Sequence, residues 1–587
     1  MNNDFIISNF RFNKSKLDSK IKIKTLKGLK NVYYYGKSHS QDGIEVIIDG
    51  YVIPRNIIYN DYKCFSQHEL IIELYKKYKK QFVKKIKGFF TVIVITSSEI
   101  VLVNDIHSVK RVSYWKQGDK ILLSNNQNII SQLVDLSINP YAPSMIAIFQ
   151  HFVGGYSLFQ NVYYSLPASI LTINEMGFFK DIYLSTDYFA RLDREKFDND
   201  DFHNIFLTSI KNVIDYLQPK SISTTLTGGR DTRSILATLL YLNIMPHCFT
   251  FGHSAGIDVQ TSHNITKHCG LSFSNHFIDK LDEHTYSNVV NKIIESKNSF
   301  IHIHRAHRLD AILKERIIFN GSIDMVFVGA MGGDYIMGEH FNDYILSEFI
   351  RRYLVGNESK SEIYSSIFNK HYIKYNASHI SFIEELLNSL GLRHNKFNKD
   401  TEFNLVHNII GGTHDIQDIN LFLQNSKYVI APFMDIDVME ALFSSRLSLF
   451  SNTRHTKNPF VRLRGGELQC SLIRKFAPEL ATIPFANLYT PNDVLGNRLI
   501  YVLKRIYLQK VKVNSKPTFS YDAWFIRYVN NNIKDNNRYQ LKEYYYYSKL
   551  LNDLADKNHL THEGYWHKFT NPIMLNLYLK SFLKITI

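Results

Sequence analysis

The stretch TTLTGGRDTRS, residues 224 to 234, sets two adjacent glycines behind a β-branched run and follows them at once with Arg230, Asp231 and Thr232. Glycine leaves the backbone bare, so an anion can reach the N–H groups of such a loop without meeting a side chain. SISTTL reads as a buried strand ending at Leu226, and RSILATLLYL places Ile235, Leu236, Leu239 and Leu240 on one face of a helix. TGGRDT is then a strand-to-helix turn whose N–H groups and helix dipole converge on one spot suited to phosphate. Gly228 and Gly229 keep the backbone clear there, and Thr227 and Thr232 offer hydroxyl donors. Asp231 would repel phosphate unless a cation lies between them, and magnesium is the natural cation. GxxxxGK[ST] is absent, so this is not a Walker loop.

A second group of chemistry-bearing residues is FIHIHRAHRLD, with His302, His304, Arg305, His307 and Arg308. Three histidines invite zinc, yet their i, i+2, i+5 spacing suits no single regular face and no fourth ligand is evident. A basic patch for an anionic substrate is one alternative, and histidines solvated or satisfied in the core are another. Cys64, Cys248, Cys269 and Cys470 form no CxxC pair, which argues against a disulfide framework or a zinc knuckle.

These loops need elements to hold them. A chain of 587 residues is too long for one core, so two or three domains are expected. GIEVIIDGYVI, GFFTVIVIT, EIVLVND and KILLSNN are short β-branched runs that read as hairpin strands, with a helix over HELIIELYKKYKKQFVKKI between the first two. They predict a layered antiparallel domain over 1–195. From 196 to 497 helical periodicities alternate with short apolar runs such as SISTTL, HCFTFG and MVFVGA, the rhythm of a parallel α/β sheet. Ligands in such sheets gather at the carboxyl ends of strands. Residues 498–587 read as a basic, aromatic helical extension.

The 69 Lys and Arg against 54 Asp and Glu give a net charge of +15, which favours anionic partners. No Arg-rich repeat or ribonucleoprotein-type aromatic motif points to nucleic acid. The best apolar run, MIAIFQHFVGGYSLF, is broken by Gln150, His151 and two glycines, and the amino terminus has no signal-peptide layout, so a cytoplasmic location is expected. Arg498, Lys504, Arg505, Lys510 and Lys512 interleave with apolar residues, which leaves open a peripheral contact with an anionic membrane or an ordinary packed helix. A homodimer is also left open.

TGGRDT resembles the pyrophosphate loop SGGxDS of the asparagine synthetase family, with Thr for each terminal Ser. FVGAMGGDYIMG, residues 327 to 338, is similar to the family's SGxGxDExxGG turn: Asp334 falls on its Asp, Ala330 stands for a Gly and Tyr335 for the Glu. APFMDIDVMEALF resembles PFLDxxLVE, and HCFTFGHSAGIDVQTSHNI resembles the strand and loop after the first helix. The resemblance covers most of residues 200 to 485. It implies a PP-loop synthetase domain in which Asp231 and Asp334 serve magnesium and the pyrophosphate of ATP. Leu226 to Thr232, Gly332 and Gly333 would line the phosphates, and the backbone near Phe251 and Gly252 would face adenine, with Asp258 at the usual acidic position.

The same resemblance extends to the first third, where IDGYVIPRN stands for NGEIYN and VNDIHSVKRVSYW for ARDRFGVKPLYY. It implies an Ntn-hydrolase-like α+β layered domain. The family's glutaminase needs a cysteine directly after the initiator Met, whereas Asn2 follows Met1, Asp49 replaces the Asn and Tyr51 the Glu of NGE. A structural relic or a partner-binding surface is therefore expected.

The reaction so implied is amide formation: ATP activates a carboxylate as acyl-adenylate, pyrophosphate leaves, and ammonia or an amine attacks. The family's KxxLR lysine has no counterpart, because Cys470 falls on it when Arg474 is matched to the Arg. Lys457, Arg462, Arg464, Arg474 and Lys475 are the candidate replacements, and spacing does not choose among them; Arg474 and Lys475 are carried as the expected catalytic pair. A sugar acid is the favoured substrate and a peptide, cyclised as a macrolactam, the second. A catalytically inactive nucleotide-binding scaffold is the reading of another class.

Overall fold

The computed structural model describes residues 4–11, 22–24, 32–35, 37–193, 196–277, 283–296, 300–337, 348–410, 415–446, 466–486, 488–512, 528, 540–555 and 566–583. The four hairpin runs form β5 (Ile44–Gly50), β8 (Phe90–Ile95), β9 (Glu99–Asn104) and β11 (Lys120–Ser124). Around them lie β1 (Ile6–Ser8), β2 (Lys22–Lys24), β3 (Val32–Tyr35), β4 (His39–Gln41), β6 (Ile53–Pro54), β7 (Ile86–Lys87), β10 (Ser113–Gln117), β12 (Val162–Tyr164), β13 (Ser169–Asn174) and β14 (Gly177–Ile182). Two six-stranded antiparallel sheets result, ordered β12-β10-β11-β1-β3-β2 and β14-β13-β9-β8-β5-β4, and β6 pairs with β7 in a separate two-stranded one.

Alternation along β5 explains how they stack. Ile47 joins Ile7, Ile93, Leu102, Ile121 and Leu123 between the sheets. Val46 and Ile48 face the other way, toward Leu70, Ile71 and Leu74 of the helix Gln67–Tyr78. The helix Ala142–Phe149 packs with Trp115 and Leu122 beyond the first sheet, giving helix, sheet, sheet, helix. The expected helix over residues 68–86 is shorter than the sequence pattern. It starts at a Ser66 capping box, stops at Tyr78, and a 3-10 segment, Lys79–Lys85, turns Phe82 and Val83 into the core.

β15 (Ile222–Thr225), β16 (His247–Gly252), β17 (Phe273–Phe277), β18 (Ile323–Phe327) and β19 (Ser426–Ile430) form a parallel sheet ordered β17-β16-β15-β18-β19. The chain runs outward from β15 to β17, then restarts on the other side with β18. The order therefore reverses between β15 and β18, and the crevice beyond their carboxyl ends is where such a sheet takes ligands.

The two parts share a buried ion cluster. Lys87 Nζ stands 2.7 Å from Asp435 and 2.9 Å from Asp437, and Arg55 lies 2.8 Å from Asp437 and 2.5 Å from Glu440. The expected extension over residues 498–587 is described in part. In its last helix, Trp566–Leu583, Ile573, Met574, Leu575 and Tyr578 are buried in the main core, and the Tyr578 hydroxyl donates to Ile301 O at 2.9 Å.

Candidate functional site

β15 ends in Leu226, buried, whose N–H donates to Phe249 O at 2.9 Å. The loop then closes on itself. Thr227 N–H donates to Thr232 Oγ1 at 3.1 Å, Gly229 N–H donates to Thr227 Oγ1 at 3.2 Å, and the two Thr hydroxyls meet at 3.2 Å. Gly228 N–H donates to Asp258 Oδ1 at 3.0 Å. A β-carbon on Gly228 would stand 2.7 Å from that oxygen and 2.8 Å from Ala486 Cβ, so a side chain has no room. The helix Asp231–Tyr241 starts at Arg230 without a side-chain cap, which leaves its first-turn N–H groups available to a ligand.

The second glycine turn packs onto this loop. A β-carbon on Gly329 would stand 2.9 Å from Thr232 and 3.0 Å from Asp231; on Gly332 it would stand 2.7 Å from Asp231 Oδ1. Gly333 N–H bonds to the Asp231 carboxylate, and the charge of Asp334 reaches it. The turn thus brings Asp231 and Asp334 together at the switch point. Burial pushes the Asp231 carboxyl up to about 6, with Arg230 and Gln469 opposing and Asp334 adding to the rise.

Two residues that the sequence did not single out complete the cluster. Asp415, at the start of the helix Asp415–Asn425, accepts Met331 N–H at 2.8 Å and thereby holds the left-handed Met331, φ 59°. It also hydrogen-bonds Asp334, and burial followed by the Asp334 charge pushes its carboxyl up to about 8. A carboxyl–carboxylate bond needs a shared proton, and the upward shift of Asp415 is in the direction that keeps one. Gln469, fully buried on the helix Glu467–Phe476, donates its side-chain amide to Asp231 Oδ1. Among the described residues no group of three His, Cys, Asp or Glu side chains surrounds one metal position.

Arg474 and Lys475 are placed elsewhere. On a helix turning about 100° per residue they lie roughly 140° and 240° around from Gln469. Arg474 is exposed, and Lys475 pairs with Asp200 at 2.6 Å. Cys470 is buried, and burial pushes its thiol up to about 12, so it stays neutral. Among the described residues the positive group beside Asp231 is Arg230, whose guanidinium lies against Gly466. Lys457, Arg462 and Arg464 lie outside the described residues. The wall next to the loop is pinned by Arg233, which donates to Ile483 O at 2.6 Å and Pro484 O at 3.0 Å and lies 4.4 Å over the Phe485 ring.

At the end of β16, beside the buried Gly252, Phe251 meets the His307 ring at 5.9 Å and the Arg308 guanidinium at 5.8 Å. The histidine and arginine group is a structural knot more than a basic patch. Arg305 is fully buried and bonds Asp418 at 3.2 Å, Arg308 pairs with the same carboxylate, and burial holds His302 down to about 3. Tyr335 is buried too, its hydroxyl 2.9 Å from His407 Nδ1, so the side chain at the usual Glu position belongs to the core.

In the first domain Asp49 pairs with Lys110 at 3.0 Å and accepts from Asn125 at 2.8 Å, while Asn125 accepts Phe5 N–H at 2.9 Å. Tyr51 is buried, faces the parallel sheet and donates to Val429 O of β19 at 3.0 Å. The position that a glutamine site would use is spent on joining the two sheets.

No protein-family profile and no curated protein matches this sequence. Among solved structures, the chain is similar to the allosteric regulatory enzyme of purine biosynthesis, at 9% identity and a TM-score of 0.20, over 47% of this chain and 74% of that one. It is also similar to glutamine phosphoribosylpyrophosphate amidotransferase from B. subtilis complexed with ADP and GMP, at 10% identity and a TM-score of 0.20, over 62% and 83%. Similarities this loose say nothing about the reaction of this chain.

Proposed function

We propose that the protein is an ATP-dependent carbon–nitrogen ligase of the asparagine synthetase kind, which activates a carboxylate as acyl-adenylate and passes it to ammonia or an amine. The observation that carries this reading is the convergence of Asp231, Asp334 and two bare glycine turns at the switch point of a parallel sheet. A divalent cation between Asp231 and Asp334 would relieve the repulsion between the two carboxylates. Magnesium commonly leans on one or two carboxylates and completes its shell with phosphate oxygens and water, so the lack of a three-residue cage fits. Asp231 and Asp334 would hold it, and it would supply charge neutralisation for departing pyrophosphate.

The chain's own groups do the rest. First-turn N–H groups of the helix Asp231–Tyr241 bind phosphate oxygens, Gln469 and Gly333 fix the rotamer of Asp231, and Arg230 replaces the usual lysine as the local positive charge. With Tyr51 and Asp49 engaged structurally, the first domain supplies no ammonia, and the nucleophile is free ammonia or an amine. A sugar acid remains the favoured substrate, on the sequence resemblance alone. A second reading, a nucleotide-binding scaffold without turnover, is favoured by Arg474 and Lys475 facing away from Asp231.

Carboxylate-dependent ATP–pyrophosphate exchange on the purified chain tests the proposal. Exchange with at least one acid of a sugar-acid and peptide panel, reduced about a hundred-fold or more in Asp231→Ala, supports the ligase. Nucleotide binding without exchange for any acid supports the scaffold.

A further inference from the structure

The helix Arg498–Lys512, RLIYVLKRIYLQKVK, carries five basic residues and no acidic one. Its inner face is tied to the body next to the glycine loop. Tyr501 is buried and meets the Tyr489 ring at 5.5 Å, Lys504 pairs with Asp493 at 2.6 Å, and Arg498 reaches Glu467 at 3.7 Å. Glu467 opens the helix that carries Gln469, and Tyr501 lies within electrostatic reach of Arg230.

The opposite face is unlike the rest of the surface. Leu499, Ile500, Leu503, Ile506 and Tyr507 are between 50% and 67% exposed. At about 100° per residue they share an arc of roughly 120°, one continuous apolar stripe. Large side chains held in water along one stripe mark a docking face, whereas scattered ones do not.

We propose that this helix is an interfacial anchor that lays its apolar stripe into an anionic lipid surface and so holds the glycine-loop site at the membrane. Charge selects the occupant. Glu467 and Asp493 meet two of the five charges, but the segment has no acidic residue of its own and the chain has a net charge of +15, which complements anionic headgroups and would repel a second copy of the same segment. Among the described residues no helix is long and apolar enough to cross a membrane, so the helix would lie on the surface. The inference does not depend on the ligase reading, because lipid binding needs neither ATP nor turnover.

Sedimentation of the full-length protein with vesicles of phosphatidylcholine, alone or mixed with phosphatidylglycerol, tests it. Wild type is expected to bind the mixed vesicles, to bind phosphatidylcholine less, and to be partly released by high salt. Leu503→Glu with Ile506→Glu should weaken binding about tenfold or more, and the paired alanine variant less, with thermal unfolding unchanged because both side chains are exposed. Binding that the glutamate pair leaves intact overturns the proposal. A wild-type dimer that the same pair dissociates, without vesicle binding, would give the face to a second copy. A monomer without vesicle binding would leave the face without a lipid partner. Both outcomes overturn the membrane anchor.

Discussion

The carboxylate of Asp231 occupies the space that a side chain on Gly332 would need: a β-carbon there would stand 2.7 Å from Asp231 Oδ1 and 2.8 Å from the Phe433 ring. Neither neighbour can withdraw, since Asp231 is held by Gln469 and Phe433 is fully buried. Gly332→Ala is expected to cost about 1–3 kcal/mol and to displace Asp231. Gly333→Ala, whose nearest atom would lie at 3.5 Å, should cost less. Urea unfolding and titration with an ATP analogue on both variants check the contrast.

Asp415 gives a pH dependence with a defined sign. Its carboxyl, pushed up to about 8 in the folded chain from the ordinary 3.8, keeps a proton that the unfolded chain loses. The folded state therefore binds more protons between about pH 4 and pH 8, and stability falls as pH rises through that window. Asp231, pushed up to about 6, adds to the same slope. Asp415→Asn can still accept from Met331 and donate to Asp334, so its slope should be shallower and its stability at pH 8 equal to wild type or higher. Denaturant midpoints from pH 5 to pH 8 measure this.

Lys87 is the buried cation between Asp435 and Asp437, and it also donates to Ser209 at 2.8 Å. Lys87→Met leaves Asp435 without its cation and Asp437 with Arg55 alone, and is expected to cost about 3–5 kcal/mol. Burial works to raise Asp437, but Lys87 and Arg55 override it and hold the carboxyl down to about 2. That stabilisation is present above the ordinary value of 3.8 and is lost as pH falls toward 2. Acid titration should show the loss in wild type and a blunted one in Lys87→Met.

Arg233 forks to two carbonyls and stacks on Phe485, a geometry that an ammonium does not reproduce. Arg233→Lys is expected to cost about 2 kcal/mol and to loosen the 483–486 wall that backs Gly228. Unfolding midpoints and analogue affinity, measured together, check it.

The local parts of the site were legible in the residues. A β-branched run, paired glycines and an amphipathic stretch define a strand, a bare turn and a helix, and β15 with the helix Asp231–Tyr241 has that form. Gln469 and Asp415 were not legible, because their roles arise from packing between elements distant in sequence. Arg474 and Lys475 lie on other faces of their helix than Gln469, a difference of phase that matching residues along a line does not resolve. For His302 and Arg305 the sequence left a basic patch and a core role both open, and each is buried against the helix Asp415–Asn425, where Gln417 and Asp418 meet them. The strands of the first domain followed their alternation, while the exposed β14, GFFKDI, carries no core pattern to read.

The most direct measurement is a crystal structure with magnesium and a non-hydrolysable ATP analogue. We predict magnesium within about 2.1 Å of a carboxylate oxygen of Asp231 or Asp334, with phosphate oxygens facing the N–H groups at the start of the helix Asp231–Tyr241. A nucleotide seated away from both glycine turns, or none at saturating concentration, would contradict the assignment of this crevice as a ligase site.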